Sequence, residues 1–308
     1  MIEVRGLAKS FEGRWALHGI SFDVGEGDIF GYIGPNGAGK TTSIRIMSTL
    51  LDPTEGDVRV GGLSVIEDAE KVRRLIGYMP DNFGVYEKIT VWEYLDFFAA
   101  AYGLSRRERK GALEGILDLT DLQGLRDRLT VELSKGMRQR LCVAKTLVHD
   151  PRVLILDEPA NGLDPRARIE FRALLKELRN MGKTIFISSH ILAELSDVCT
   201  AVAIVERGRV VASGPLAEIR RALQPGPVLR LEVLGDPAAA LPLLQGVPDC
   251  GEPKVEGGAI LLPCSAPREK LPELLRALLD RGVPVAGLQE LKTDLEDLFM
   301  KLTEGEVA

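Results

Sequence analysis

This sequence of 308 residues predicts an α/β fold built around a parallel sheet, and three stretches of it carry that prediction. The apolar run Ile29-Phe30-Gly31-Tyr32-Ile33 passes through Gly34-Pro35-Asn36-Gly37-Ala38-Gly39-Lys40-Thr41-Thr42 into Ser43-Ile44-Arg45-Ile46-Met47, which reads as strand, glycine-rich turn and helix. Val153-Leu154-Ile155-Leu156 is continuously apolar, as expected of a strand covered on both faces, and it ends in Asp157-Glu158-Pro159. Thr184-Ile185-Phe186-Ile187-Ser188 has the same character and carries Ser189-His190 at its tip.

The glycine-rich turn is the physical recipe for gripping a triphosphate tail. Its glycines let consecutive N–H groups face one anion, and the following helix adds the positive end of its dipole. Lys40 is placed to reach the β- and γ-phosphates, and the Thr41 hydroxyl to hold Mg²⁺. Carboxylates at the carboxyl end of a central strand lie where α/β folds bind ligands. Asp157 is therefore expected to hold Mg²⁺, directly or through water, and Glu158 to orient or deprotonate an attacking water. His190, at the end of the next strand, is expected to contact the γ-phosphate.

Composition narrows the classes. The hydrophobic share of 45% suits a globular chain with a real core, and a formal net charge of −6 argues against a nucleic-acid binder. No apolar stretch reaches the roughly 18 residues of a membrane span, so a membrane role is expected to come through a partner. Cys142, Cys199, Cys250 and Cys264 are scattered and form no C-x-x-C pair, which suggests reduced thiols in a cytosolic setting.

Taken in order, Ile2-Glu3-Val4-Arg5 and Ile20-Ser21-Phe22-Asp23-Val24 read as short strands. Phe11 falls on the loop-like stretch Lys9 to Gly13, where an exposed aromatic is able to stack on a base. Asp57-Val58-Arg59-Val60 before Gly61-Gly62 is a hairpin arm, and Leu75-Ile76-Gly77-Tyr78-Met79 is a strand that Pro80 ends. Thr90 with Glu93 forms a capping box, and Trp92, Leu95, Ala99 and Tyr102 follow at helical spacing. Residues from about 83 to 150 look almost wholly helical between strand-rich parts, so they form an inserted helical subdomain. A helix from about Pro165 to Met181 turns Ile169, Leu174, Leu175 and Leu178 inward. Gln224-Pro225-Gly226-Pro227 reads as a linker. Beyond it, the strand at Leu229 to Val233, the cap Asp236-Pro237, the turn Glu256-Gly257-Gly258, the stripe Leu271, Leu274, Leu275, Leu278 and the strand from Val283 suggest a split-βαβ domain. A last stripe, Leu295, Leu298, Phe299 and Leu302, predicts a terminal helix.

Leu133-Ser134-Lys135-Gly136-Met137-Arg138-Gln139-Arg140 opens a further helix, with Ser134 as N-cap. At this segment the sequence resembles the ATP-binding-cassette family, over roughly residues 1 to 220. The resemblance implies a P-loop NTPase core with an antiparallel β subdomain and the inserted helical subdomain. In domain terms residues 1–222 are expected to form the nucleotide-binding domain, and the residue pattern beyond it gives 223–227 as linker and 228–308 as a small C-terminal α+β accessory domain. It matches Phe11 to the adenine-stacking aromatic and Gly34, Pro35, Asn36, Gly37, Ala38, Gly39, Lys40, Thr41 and Thr42 to the Walker A loop. Asp157 and Glu158 match Walker B, Asn161-Gly162-Leu163-Asp164 the D-loop, and His190 the switch histidine. It implies ATP and Mg²⁺, and a homodimer in which each ATP lies between one P-loop and the partner's Ser134 and Gly136.

Three positions depart from the usual pattern. Asp81 stands for the Q-loop glutamine, Met137 for a signature glutamine and Asn161 for a D-loop serine. Asp81 is expected to ligate Mg²⁺, with Asn82 as the alternative oxygen. The tail from Thr293 to Thr303 is similar to ATPase subunits of type-2 exporters. That likeness implies a separate polytopic permease and a peripheral place on the cytoplasmic face, with Tyr86 to Tyr102 as a docking segment. A soluble cassette ATPase acting on ribosomes or DNA is the alternative, and a P-loop kinase would leave the signature and D-loop segments unexplained.

Overall fold

The computed structural model describes residues 1–82, 84, 86, 88–191, 195, 197–223, 228–264 and 266–291. The linker read at Gln224 to Pro227 and the tail read at Thr293 to Thr303, with its helical stripe, lie outside them. The chain divides into two compact units between Ile219 and Arg220.

The first unit opens with β1 (Ile2–Phe11), β2 (Arg14–Val24), β3 (Ile29–Ile33), α1 (Lys40–Met47), β4 (Glu55–Val60), β5 (Leu63–Ser64), α2 (Ala69–Leu75) and β6 (Ile76–Met79). It continues with α3 (Val91–Ala101), α4 (Arg106–Leu119), α5 (Lys135–Leu147), β7 (Val153–Leu156), α6 (Pro165–Asn180), β8 (Thr184–Ser189), β9 (Ala201–Glu206) and β10 (Arg209–Pro215), after which comes α7 (Leu216–Leu223). Among the described residues one sheet runs β10-β9-β3-β8-β7-β6, parallel except for β10 at its edge. A second, antiparallel sheet runs β2-β1-β4-β5.

The apolar runs behave as continuous hydrophobic strands should. β3, β7 and β8 are buried at every residue, because the sheet is covered on both faces. Phe22 of the antiparallel sheet stacks on Phe30 at 5.4 Å, and Phe30 stacks on Phe186 at 5.7 Å, so one core joins the two sheets. Buried Tyr32 needs a polar partner for its hydroxyl. It finds Ser43 Oγ at 3.0 Å, which fixes α1 against β3.

Between β6 and β7 the chain builds a helical subdomain with its own core, including Val91, Tyr94, Leu95, Leu113, Leu117, Leu141 and Ala144. The capping box at Thr90 is formed in both directions: the Thr90 N–H donates to Glu93 Oε2 at 2.8 Å and the Glu93 N–H to Thr90 Oγ1 at 3.2 Å. Ser105 and Glu108 repeat it on α4.

Some expected details change. Leu75 ends α2 rather than starting β6. Phe11 ends a ten-residue strand, and the turn proper is Glu12-Gly13, both at positive φ. Ile169 is 61% exposed and Phe171 takes its place in the core, so the apolar stripe of α6 is Phe171, Leu174, Leu175 and Leu178. On α3 the buried aromatic is Tyr94, whereas Tyr102 is exposed and Trp92 is only partly buried, with the Arg126 guanidinium over its ring.

The second unit contains β11 (Val228–Val233), α8 (Pro237–Leu244), β12 (Lys254–Glu256), β13 (Ala259–Pro263), α9 (Leu271–Asp280) and β14 (Val285–Leu291). Its strands run antiparallel in the order β12-β13-β11-β14, the split-βαβ arrangement. Asp236 caps α8 through the Ala238 N–H at 2.9 Å. Gly257 and Gly258, at φ 57° and 77°, make the two-residue turn that a β12–β13 hairpin favours.

Candidate functional site

Register decides what meets what. β3, β8 and β7 are parallel neighbours, with Ile33 opposite Ser189 and Leu156 opposite Ile187. Their carboxyl ends therefore lie side by side, and the glycine-rich loop, His190 and Asp157-Glu158 emerge together.

The loop is held close to the sheet. The Gly34 N–H donates to Ser189 O at 3.2 Å, and a Cβ on Gly34 would sit 2.2 Å from Val205 O. Gly39 adopts φ 95° as the N-cap of α1. Lys40 is buried, and its Nζ donates to Gly34 O at 2.7 Å and Pro35 O at 3.2 Å. The same ammonium lies 3.2 Å from Glu158 Oε1, and His190 Nδ1 lies 2.8 Å from Glu158 Oε2. Glu158 is thus gripped from both sides. It also sits at φ 47°, in the left-handed region that costs an L-residue about 1–2 kcal/mol.

A cavity of about 610 Å³ opens here, walled by Asn36, Gly37, Gly39, Lys40, Thr41 and Thr42, with Asp81, Glu158 and His190. Asn161 and Ala16 complete the wall; the sequence suggested no role for either inside this site. Asn161 is brought in by the turn after β7, where its N–H donates to Glu158 O at 3.1 Å.

Asp157 does not line the cavity; it is 1% exposed, with Oδ1 accepting from Ser188 Oγ at 2.7 Å. Burial pushes its carboxyl above the usual range; hydrogen bonds from Ser188 and Thr41 pull it back, while Glu158 and Asp81 push it up again. Its Oδ2 is buried with no hydrogen-bond partner. A partnerless buried carboxylate oxygen beside the Thr41 hydroxyl and Asp81 is an all-oxygen set, and it fits Mg²⁺. Among the described residues no group of three or more His, Cys, Asp or Glu is placed to hold a metal. The fit is thus to an ion that takes few protein carboxylates and shares the rest of its shell with phosphate and water.

Other residues singled out by the sequence lie elsewhere. Ser134 caps α5, accepting from the Met137 N–H at 3.3 Å, and Asp164 caps α6, accepting from the Ala167 N–H at 2.8 Å. Gly136 packs near α6, where an added Cβ would meet Ala167 Cβ at 3.5 Å. Phe11 is exposed, with Lys9 Nζ 5.2 Å from its ring centroid. None of these four lines the cavity. The sequence reading overlooked Gln139, whose Nε2 donates to Pro159 O and ties α5 to the turn that carries Glu158.

A parallel sheet with a glycine-rich phosphate loop, an invading lysine and a carboxylate at the neighbouring strand end defines a P-loop nucleotide hydrolase. The sequence profile described as ABC transporter matches residues 17–161. YhcH of Bacillus subtilis (strain 168), an uncharacterised ABC transporter ATP-binding protein, is 33% identical, across 98% of this chain and 96% of that one. The Nod factor export ATP-binding protein I of Rhizobium sp. (strain N33) is 32% identical, across 99% and 98%. A dimeric, post-hydrolysis structure of the ATP-binding cassette MJ0796 bound to ADP and Pi superposes with TM-score 0.64 at 25% identity, covering 70% of this chain and 99% of that one. The chain belongs to the ABC transporter family: it is an ATP-binding, ATP-hydrolysing subunit.

Proposed function

We propose that the chain works as a homodimer on the cytoplasmic face of a membrane, where ATP turnover drives export through a separate polytopic permease. The observation that carries this reading is the convergence of Lys40, Glu158 and His190 on one cavity, while Ser134, Gly136 and Asp164 lie outside it. A signature segment that does not face its own chain's phosphate loop is free to close over a partner's. Within this reading residues 1–222 are the nucleotide-binding domain, 223–227 the linker and 228–308 an accessory domain.

Lys40 and the loop amides hold the β- and γ-phosphates, and Phe11 stacks on adenine. Thr41, Asp157 and Asp81 would hold Mg²⁺, which when bound offsets charge on the transferring phosphoryl group. Glu158 orients a water and takes its proton as the water oxygen attacks the γ-phosphorus and the bond to ADP breaks. His190 steadies both Glu158 and the γ-phosphate. Since Asp81 lines the cavity, Asp81→Asn is expected to raise the Mg²⁺ concentration needed for half-maximal hydrolysis several-fold. An unchanged Mg²⁺ titration would remove Asp81 from the metal site.

Among the described residues no helix is long and apolar enough to cross a membrane, and the relative's Nod factor export is that protein's cargo traffic. The export reading is tested by membrane co-fractionation with and without co-expression of a neighbouring gene product that has about six apolar spans. Retention that depends on that protein supports it; a chain equally soluble in both cases favours a permease-free ATPase. Gly136→Ala adds the dimer arm. The added Cβ meets ordinary contacts at 3.5 and 3.7 Å, so the variant should fold and bind ATP. Its turnover and ATP-dependent dimerisation should fall together, and wild-type turnover would count against the shared site.

A further inference from the structure

Ser188 is fully buried near the end of β8, and its single hydroxyl makes two contacts on the neighbouring strand end. Ser188 Oγ donates to Asp157 Oδ1 at 2.7 Å and accepts from the Glu158 N–H at 2.8 Å. The next residue does not share this work: Ser189 Oγ accepts from the Ile191 N–H at 3.0 Å. Alternation along a strand sends the two hydroxyls to opposite sides, and the register that pairs Leu156 with Ile187 brings Ser188 beside Asp157.

From this geometry we infer that Ser188 is a positioning residue for ATP hydrolysis. It fixes the rotamer of Asp157 and, through the backbone N–H, the left-handed peptide of Glu158. One oxygen thereby sets the spacing between the carboxylate assigned to the metal and the carboxylate assigned to the water. The donor to Asp157 Oδ1 leaves Oδ2 as the oxygen without a protein partner, and so selects which oxygen is turned toward an ion. The inference rests on the assignment of Asp157 and Glu158 made above. Outer partners that orient ligating carboxylates typically matter by about 10- to 100-fold in metal affinity or activity.

The test uses the full-length chain as Ser188→Ala and Ser188→Thr, with Glu158→Gln alongside. ATP affinity is measured by calorimetry in EDTA and again in excess MgCl₂, and kcat, KM and Tm are recorded for each. Ser188→Ala is expected to lower Tm by a few degrees, since two buried partners lose their hydrogen bond, and to match wild type in ATP affinity without metal. Its gain in ATP affinity on adding Mg²⁺ should shrink by about 10-fold or more, and kcat should fall roughly 10- to 100-fold. Ser188→Thr, which keeps the hydroxyl, should recover most of both. A Ser188→Ala protein with wild-type kcat and Mg²⁺ response, while Glu158→Gln is inactive, overturns the role of Ser188 and leaves the site assignment standing. A Ser188→Ala protein that loses metal-free ATP binding and Tm together marks a packing role and also overturns it. If Glu158→Gln turns over normally, the site assignment itself has failed.

Discussion

Replacing Glu158 by glutamine is expected to slow ATP hydrolysis by about 10²–10⁴ while ATP binding persists, because general-base help is typically worth that much. The substitution keeps shape and removes charge. Glu158 Oε1 lies 3.2 Å from Lys40 Nζ, and Lys40 is the cation the phosphates need. A neutral amide at this position no longer competes for that ammonium, so ATP affinity should rise as turnover falls. The lost base and the strengthened grip act in the same direction on the dimer, which should accumulate in its ATP-bound form. Single-turnover hydrolysis together with size-exclusion in ATP and Mg²⁺ checks both halves. Turnover at the wild-type rate would end the assignment of Glu158 as base.

Gly34→Ala should damage both the phosphate loop and the fold by adding a single methyl group. The new Cβ would lie 2.2 Å from the Val205 carbonyl oxygen, a contact no side-chain rotation relieves. Val205 is itself fixed in β9 by pairing with Val210 of β10, so the loop has to move away. That movement breaks the Gly34 N–H bond to Ser189 O and displaces Gly34 O, an acceptor for Lys40. Overpacking of this kind typically costs about 1–3 kcal/mol, and the loop that cradles phosphate is the part displaced. ATP binding is expected to be lost along with several degrees of Tm. The control is Gly19→Ala in β2, outside the phosphate loop, where φ is 79° and no atom lies within 4 Å of the added Cβ. It should cost only the conformational strain of about 1–2 kcal/mol. If the two variants bind ATP equally, close approach at Gly34 is not what the loop requires.

Much of this was legible from local chemistry. Strand β3, the glycines after it and Lys40 declare their purpose over a dozen consecutive residues, and Thr90 with Glu93 announces a helix start by two hydrogen bonds that span one turn. Phase was harder. Ile169 is apolar and near the right place, but only Phe171, Leu174, Leu175 and Leu178 follow the i, i+3, i+4, i+7 spacing that faces the core. α2 went unread because a single residue of it, Val72, is buried, so it has no stripe to recognise. In the site, what escaped was whatever depends on strand register. The Ser188–Asp157 and Lys40–Glu158 contacts join residues that are far apart in the chain and meet only once β3, β8 and β7 align. Ser134 was legible as a helix cap and caps α5 within its own chain; Asp164 caps α6 in the same way, a part the sequence did not announce.

The positive φ at Glu158 places this residue under two opposed demands. Asparagine or glycine would rest more easily in that backbone conformation. Either would relax the turn after β7, and neither carries a carboxylate. The fold therefore gives up some thermodynamic ease at the position where a carboxylate is held between Lys40 and His190. Selection for heat resistance alone would drift toward the relaxed residues and yield a sturdier protein that holds its nucleotide and seldom lets it go. At this position robustness and turnover are drawn from the same reserve.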